Sequence, residues 1–131
     1  MKRYIKSSVT DLELSYQDIK EIESGLYKIL MNYFHDGNYS HTSKIAVTES
    51  KYDILRYTAR PYSGYSSMRA NPAMNKDASA LNQFRSEVRS FLKQFGVTRV
   101  KFDTSSGKIH YGYISGPDDF PVTYLNAIYF G

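Results

Sequence analysis

A chain of 131 residues with 41% apolar and 23% charged residues is long enough to bury one core and too balanced in composition for wholesale disorder; its net charge is +4. It has no cysteine, which excludes a disulfide, a thiolate metal site and a cysteine nucleophile. No apolar run approaches the ~18 residues needed to cross a bilayer, and the charged start from Met1 to Ser8 has no apolar stretch behind it, so neither a membrane span nor a secretory leader is expected and the expected compartment is the cytoplasm.

The first element predicted is a helix over 15–34. Ser15 and Asp18 stand at capping-box spacing, and Ile19, Ile22, Leu26, Ile29, Leu30 and Tyr33 recur with helical period on one face. Gly37 is placed to stop it, and Gly25 inside it weakens the helix by ~1 kcal/mol unless close packing demands a small residue. Two β-rich stretches follow, 44–48 and 52–58, with Glu49-Ser50-Lys51 as a hairpin joint. Residues 60–76 have two prolines, no acid and no period, and read as a long Tyr/Arg/Ser/Gly loop of the functional or disordered kind.

A second helix is expected from Asp77, as N-cap, to Phe95, with Gly96 as its stop; Leu81, Phe84, Val88, Phe91, Leu92 and Phe95 make its core stripe. Strands over 97–102 and 108–114 flank Thr104-Ser105-Ser106-Gly107, which reads as a hairpin turn, and 121–130 reads as a closing strand. With Arg3 to Lys6 as a leading strand the order is βαββαββ. The sequence therefore predicts a single α+β domain over 1–131, with two helices packed on one face of an antiparallel sheet, either ferredoxin-like or as tandem αββ units. The other sheet face would be free for recognition. A dimer is a further option, because an edge strand would otherwise stay unpaired.

Charge is segregated along this order. Residues 54–101 hold nine bases against two acids, and six of the seven arginines fall there, whereas 11–53 hold eight acids against four bases. Like charge gathered in this way focuses the local potential and suits phosphate or an acidic protein surface. Arg85, Arg89 and Lys93 recur every four residues, so they flank the second helix's core stripe as a cationic row, or else simply snorkel around the core. Between Arg56 and Arg69, guanidinium forks alternate with tyrosines, a mixture suited to stacking on unpaired bases while pairing with phosphates, and equally to a protein paratope.

Catalytic signatures are sparse. The three histidines lack the partners of a zinc site. His110 is the best acid–base candidate: a tight turn over 104–107 would pair Lys101 with His110 and Asp103 with Lys108, gathering four polar side chains as in metal-free RNA cleavage. Phosphate-binding glycine loops, nucleophile elbows and zinc-helix motifs are missing.

The opening Met1-Lys2-Arg3-Tyr4-Ile5-Lys6-Ser7 resembles the start of many small proteins of Gram-positive gut bacteria and their phages, which implies a bacterial or mobile-element source and no activity. The βαββαβ portion is similar to RNA-recognition folds in element order, while their aromatic signature is missing and Tyr111-Gly112-Tyr113 only faintly echoes it.

The expectation is thus a non-enzymatic, cofactor-free binding module that engages RNA, DNA or a nucleoprotein complex. Arg56, Arg60, Arg69, Arg85, Arg89 and Lys93 would meet phosphates, and Tyr57, Tyr62 and Tyr65 would stack or hydrogen-bond. The alternative is an inhibitor or regulator, phage-encoded and aimed at a host defence or nuclease complex, with the same loop as its paratope. A metal-independent RNase using His110 stands third.

Overall fold

A computed structural model describes residues 12–35, 44–51, 53–62, 68–70, 78–110 and 119–131. In chain order these form α1 (Tyr16–Tyr33), β1 (Phe34–His35), β2 (Lys44–Glu49), β3 (Tyr57–Tyr62), β4 (Met68–Ala70), α2 (Ala78–Lys93), β5 (Val100–His110) and β6 (Asp119–Phe130). The class is α+β, and every strand pairing is antiparallel. The leading strand expected over 3–6 lies outside the described residues, as do Gly37 and Asp77.

α1 begins as its sequence dictates. Ser15 Oγ accepts from the Asp18 N–H at 3.0 Å, and Asp18 Oδ2 accepts from the Ser15 N–H at 3.1 Å, closing a reciprocal capping box. The helix ends where Phe34 turns to an extended backbone and drives its ring into the core, edge-on to Phe84 at 4.9 Å. α2 ends in a Schellman motif: Gly96 adopts φ 88°, its N–H bonds the Lys93 carbonyl, and the Val97 N–H reaches back to Leu92. Glycine is needed there because a side chain resists positive φ.

Ile22, Leu26 and Leu30 of α1 and Phe84, Val88 and Leu92 of α2 are buried at a spacing of four, one stripe per helix. They share one core with the inward residues of the sheet, among them Ile45, Val47, Tyr57, Ala59, Met68, Leu125, Ile128 and Phe130. Both helices therefore cover the same face. They also approach each other closely, for a Cβ added at Gly25 would overlap the Phe91 ring.

The sheet is arranged around β6. One edge of β6 takes β5 along its full length; the other takes β3 at residues 128–130 and then β4 at 124–125. β2 adds outside β3, and β1 outside β4. β3, which follows α1 in the chain, and β6, which follows α2, thus pair with each other.

Three sequence expectations need correction. The residues read as a hairpin turn, 104–107, lie inside β5, which continues to His110; its return to β6 falls between His110 and Asp119. A Thr-Ser-Ser segment is as compatible with a strand as with a turn, and pairing along β6 decides the matter. A bulge between Asp103 and Thr104, where Asn126 has no partner in the register, absorbs the irregularity. Second, β3 starts at Tyr57 and not at Tyr52, because the Ser50 N–H closes on the Arg56 carbonyl at 2.7 Å and Asp53 Oδ1 takes the Leu55 N–H at 2.9 Å. Third, part of 60–76 is strand: β3 runs to Tyr62 and β4 spans Met68–Ala70. Pro61, which cannot donate, stands beyond Ala59, the last β3 residue that pairs with β6.

Two further contacts tie the helices down. Glu23 of α1 accepts the Val47 N–H of β2 at 2.9 Å, occupying a main-chain donor on a strand that pairs only with β3 among the described residues. The Tyr33 hydroxyl of α1 donates to Glu87 Oε2 of α2.

Gly25→Ala should lower stability by about 1 kcal/mol in denaturant unfolding, because overpacking of ~1–3 kcal/mol exceeds the ~1 kcal/mol gain in helix propensity. In a Phe91→Ala background the same change should stabilise instead. The Glu87 hydrogen bond, burial and the Glu87 charge push the Tyr33 phenol up to about 12. The folded state therefore holds this proton more tightly than the unfolded chain, and the stability it lends is complete below pH 10 and lost as pH rises towards 12. Absorbance titration should find one late-ionising tyrosine that moves back towards 10 in Glu87→Gln.

Candidate functional site

Strand alternation sends Ala59, Ile128, Phe130 and Phe102 towards the helices, so Arg60, Tyr129 and Lys101 point to the opposite, helix-free face. Lys101 lies directly across from Tyr129 and Arg60 diagonally from it. The Arg60 guanidinium is 5.9 Å from the centroid of the Tyr129 ring and donates to its hydroxyl at 3.1 Å; Lys101 Nζ is 5.0 Å from the same centroid. One aromatic ring therefore holds two cations in place. Beside it lies a groove of about 440 Å³ lined by Thr48, Glu49, Ser50, Lys51, Thr58, Arg60 and Tyr129. The Ser50 and Thr58 hydroxyls bond to each other inside it.

The electrostatics of this face are more mixed than the charge count of the segment suggests. Lys101 donates to Asp53 Oδ2, and that bond, foremost, holds the lysine above its ordinary pKa. Burial pushes the Asp53 carboxyl up, but the Lys101 hydrogen bond, the Leu55 N–H and the Lys101 charge outweigh it and leave the carboxyl below its usual range. Glu49 is 3.7 Å from Arg56 Nε. Arg60 and Lys51 have no carboxylate partner among the described residues, so they are the cations open to a ligand.

Two residues expected to bind are engaged within the fold. Arg56 Nη1 donates to the Leu12 carbonyl at 2.8 Å, and the guanidinium bridges Glu13 and Glu49. Tyr57 is 3% exposed, stacks on Phe130 at 5.7 Å and accepts the Leu14 N–H on its hydroxyl at 3.0 Å. Buried and spoken for, it offers no ring to a base.

Arg85, Arg89 and Lys93 also leave the expected single face. They belong to α2, on the helix side of the sheet, where Arg85 and Arg89 sit 6.0 and 5.3 Å from the Phe102 ring centroid; Lys93 is exposed at the end of the helix. Register places Arg69 of β4 opposite Tyr124 of β6 and Tyr62 of β3 opposite Lys44 of β2, while Tyr65 lies outside the described residues. Of the nine predicted contact residues, the structure thus brings Arg60 to the open face and Arg85 and Arg89 to a separate ledge. Tyr129 and Lys101 were not among the nine. Their signal is the alternation of Ile128-Tyr129-Phe130 and Val100-Lys101-Phe102, whose outer residues leave an aromatic beside a cation.

The His110 constellation is not assembled. Lys101, Asp103, Lys108 and His110 share one strand, and Lys101 and His110 lie roughly 30 Å apart at ~3.4 Å per residue; their register partners are Tyr129 and Asp119. His35 is in β1, and His41 lies outside the described residues. Among the described residues no three His, Asp or Glu side chains are grouped to hold a metal ion, and no helix is long and apolar enough to cross a membrane.

Comparison with family models, with curated proteins and with solved structures gave no match to this chain.

The two arginines on β3 and its entry should separate cleanly by stability. Arg56→Ala should cost about 1.5–3 kcal/mol, most of it from the charge-assisted bond to the Leu12 carbonyl, with the two longer ion pairs to exposed Glu13 and Glu49 adding little. Arg60→Ala should stay within ~0.5 kcal/mol, because Arg60 is exposed and, among the described residues, bound only to the Tyr129 hydroxyl and ring. Urea unfolding of the two variants measures the contrast.

Proposed function

We propose that the chain is a non-enzymatic binding module whose helix-free sheet face takes single-stranded nucleic acid, free or within a nucleoprotein complex. The observation that carries this reading is the Tyr129 ring with Arg60 and Lys101 held against it at 5.9 and 5.0 Å, next to a groove lined by Lys51 and three hydroxyl side chains. A ring face stacks on an unpaired base whatever its identity, and a planar guanidinium pairs with a phosphate in two-pronged fashion. The sheet supplies a flat platform, and a base already paired in a duplex cannot lie on it. Lys101 is anchored by Asp53 and so acts to position the ring, while Arg60 and Lys51 meet the phosphates.

Fluorescence anisotropy of labelled single-stranded RNA and of duplex DNA, at low and physiological salt, tests the proposal. Single strands should bind more tightly than duplex, with affinity falling steeply as salt rises because neutralised phosphates release counterions. Arg60→Glu should weaken binding about tenfold or more, and Tyr129→Ala by a similar factor, given a stacking contribution of ~1–3 kcal/mol. Salt-independent binding, or equal binding by Arg60→Glu, would sink the proposal.

A further inference from the structure

Two of the outer strands of the sheet, β2 and β5, are finished differently. On β2 a carboxylate from α1, Glu23, takes the Val47 N–H and so blocks part of that edge against another strand. β5 is almost twice as long, is paired with β6 throughout, and has no strand on its other side among the described residues. The Asp53 carboxylate meets β5 only at the Lys101 side chain, and no described carboxylate takes a main-chain N–H of β5 as Glu23 takes that of Val47. An edge of this kind offers main-chain donors and acceptors at the period of an extended peptide.

What overhangs that edge is cationic. α2 turns one flank towards α1, where Glu87 meets Tyr33 and Phe91 meets Gly25. Arg85 and Arg89 lie one turn apart on the opposite flank, hence on the β5 side, and both are steadied on the ring of Phe102, a β5 residue. Neither has a carboxylate partner among the described residues. Carboxylates on alternate residues of an added strand would recur every ~6.8 Å, close to the ~6 Å that separates two residues one helical turn apart.

We propose that the free edge of β5 docks an extended acidic segment of a partner protein, added to the sheet as a strand with its carboxylates beneath Arg85 and Arg89. Main-chain bonding along β5 gives the affinity, and the arginine pair selects acidic over basic segments. A second copy of this chain is a poor occupant: two-fold pairing of β5 with itself would set each Arg85–Arg89 flank against its own image, four like charges at close range. This surface lies on the helix side of Phe102, apart from the Tyr129 face, and does not depend on the nucleic-acid reading.

The test uses the full chain with two acetylated octapeptides, alternating Glu–Val and alternating Lys–Val, read by hydrogen exchange of the β5 amides and by fluorescence titration. The Glu–Val peptide should bind and slow exchange of amides between Lys101 and Ser106, and the Lys–Val peptide should do neither. Arg85→Glu/Arg89→Glu should weaken the Glu–Val peptide at least tenfold; Arg85→Lys/Arg89→Lys, which keeps the charge, should retain most of the binding and guards against a fold defect in the first variant. Overturning results are no protection of β5 by the Glu–Val peptide, equal binding of the two peptides, or β5 protection that grows with protein concentration when no peptide is present.

Discussion

β6 pairs on both edges, with all of β5 on one side and with β3 and then β4 on the other, so it sets the position of every other described strand directly or through one neighbour. Its side chains carry the same double duty. Leu125, Ile128 and Phe130 are at most 1% exposed beneath the helices, while Tyr129 stands on the opposite face between the two cations. The bulge at Asn126 shifts the alternation by one residue, which is how Leu125 and Ile128, three apart, come to face the same core. Without that shift Leu125 would turn outward.

Periodicity made the helices legible. Stripes at four-residue spacing in 15–34 and 77–95 are long enough that no competing pattern fits, and the capping box and Gly96 fix one end of each. The strands were less legible because turn chemistry is local and strand pairing is not. Thr104-Ser105-Ser106-Gly107 has the composition of a turn, but each residue is also tolerable in a strand, and the partner that keeps β5 straight lies some twenty residues further on. The short β1 and β4, two and three residues long, carry too little pattern to be found at all; each exists because a buried side chain, Phe34 or Met68, brings its backbone alongside a neighbour.

The candidate site was legible in kind but not in membership. Counting arginines and tyrosines between 54 and 101 treats charge and aromaticity as surface properties, yet the side of the pleat decides which of them is surface. Tyr57 and Ala59 face inward and Thr58 and Arg60 outward, so neighbouring members of one Arg/Tyr cluster end in the core and on the open face. Arg56, just before the strand, is consumed in joining Leu12, Glu13 and Glu49, the cost of anchoring the segment ahead of α1.

The same rule accounts for the two cationic surfaces. Lys101 and Phe102 are adjacent on β5 and therefore project to opposite faces. Outside, Lys101 joins Arg60 on Tyr129; inside, Phe102 takes Arg85 and Arg89 from α2. In both places an aromatic ring steadies flexible cationic side chains, so the binding proposed for each surface would forfeit less rotamer freedom. A basic stretch that is continuous in sequence is thus divided by one pleat into two pre-ordered surfaces, one flat and polar, the other a strand edge beneath guanidinium groups. The chemistry proposed for each rests on that division: planar bases and phosphates for the first, a peptide backbone with carboxylates for the second.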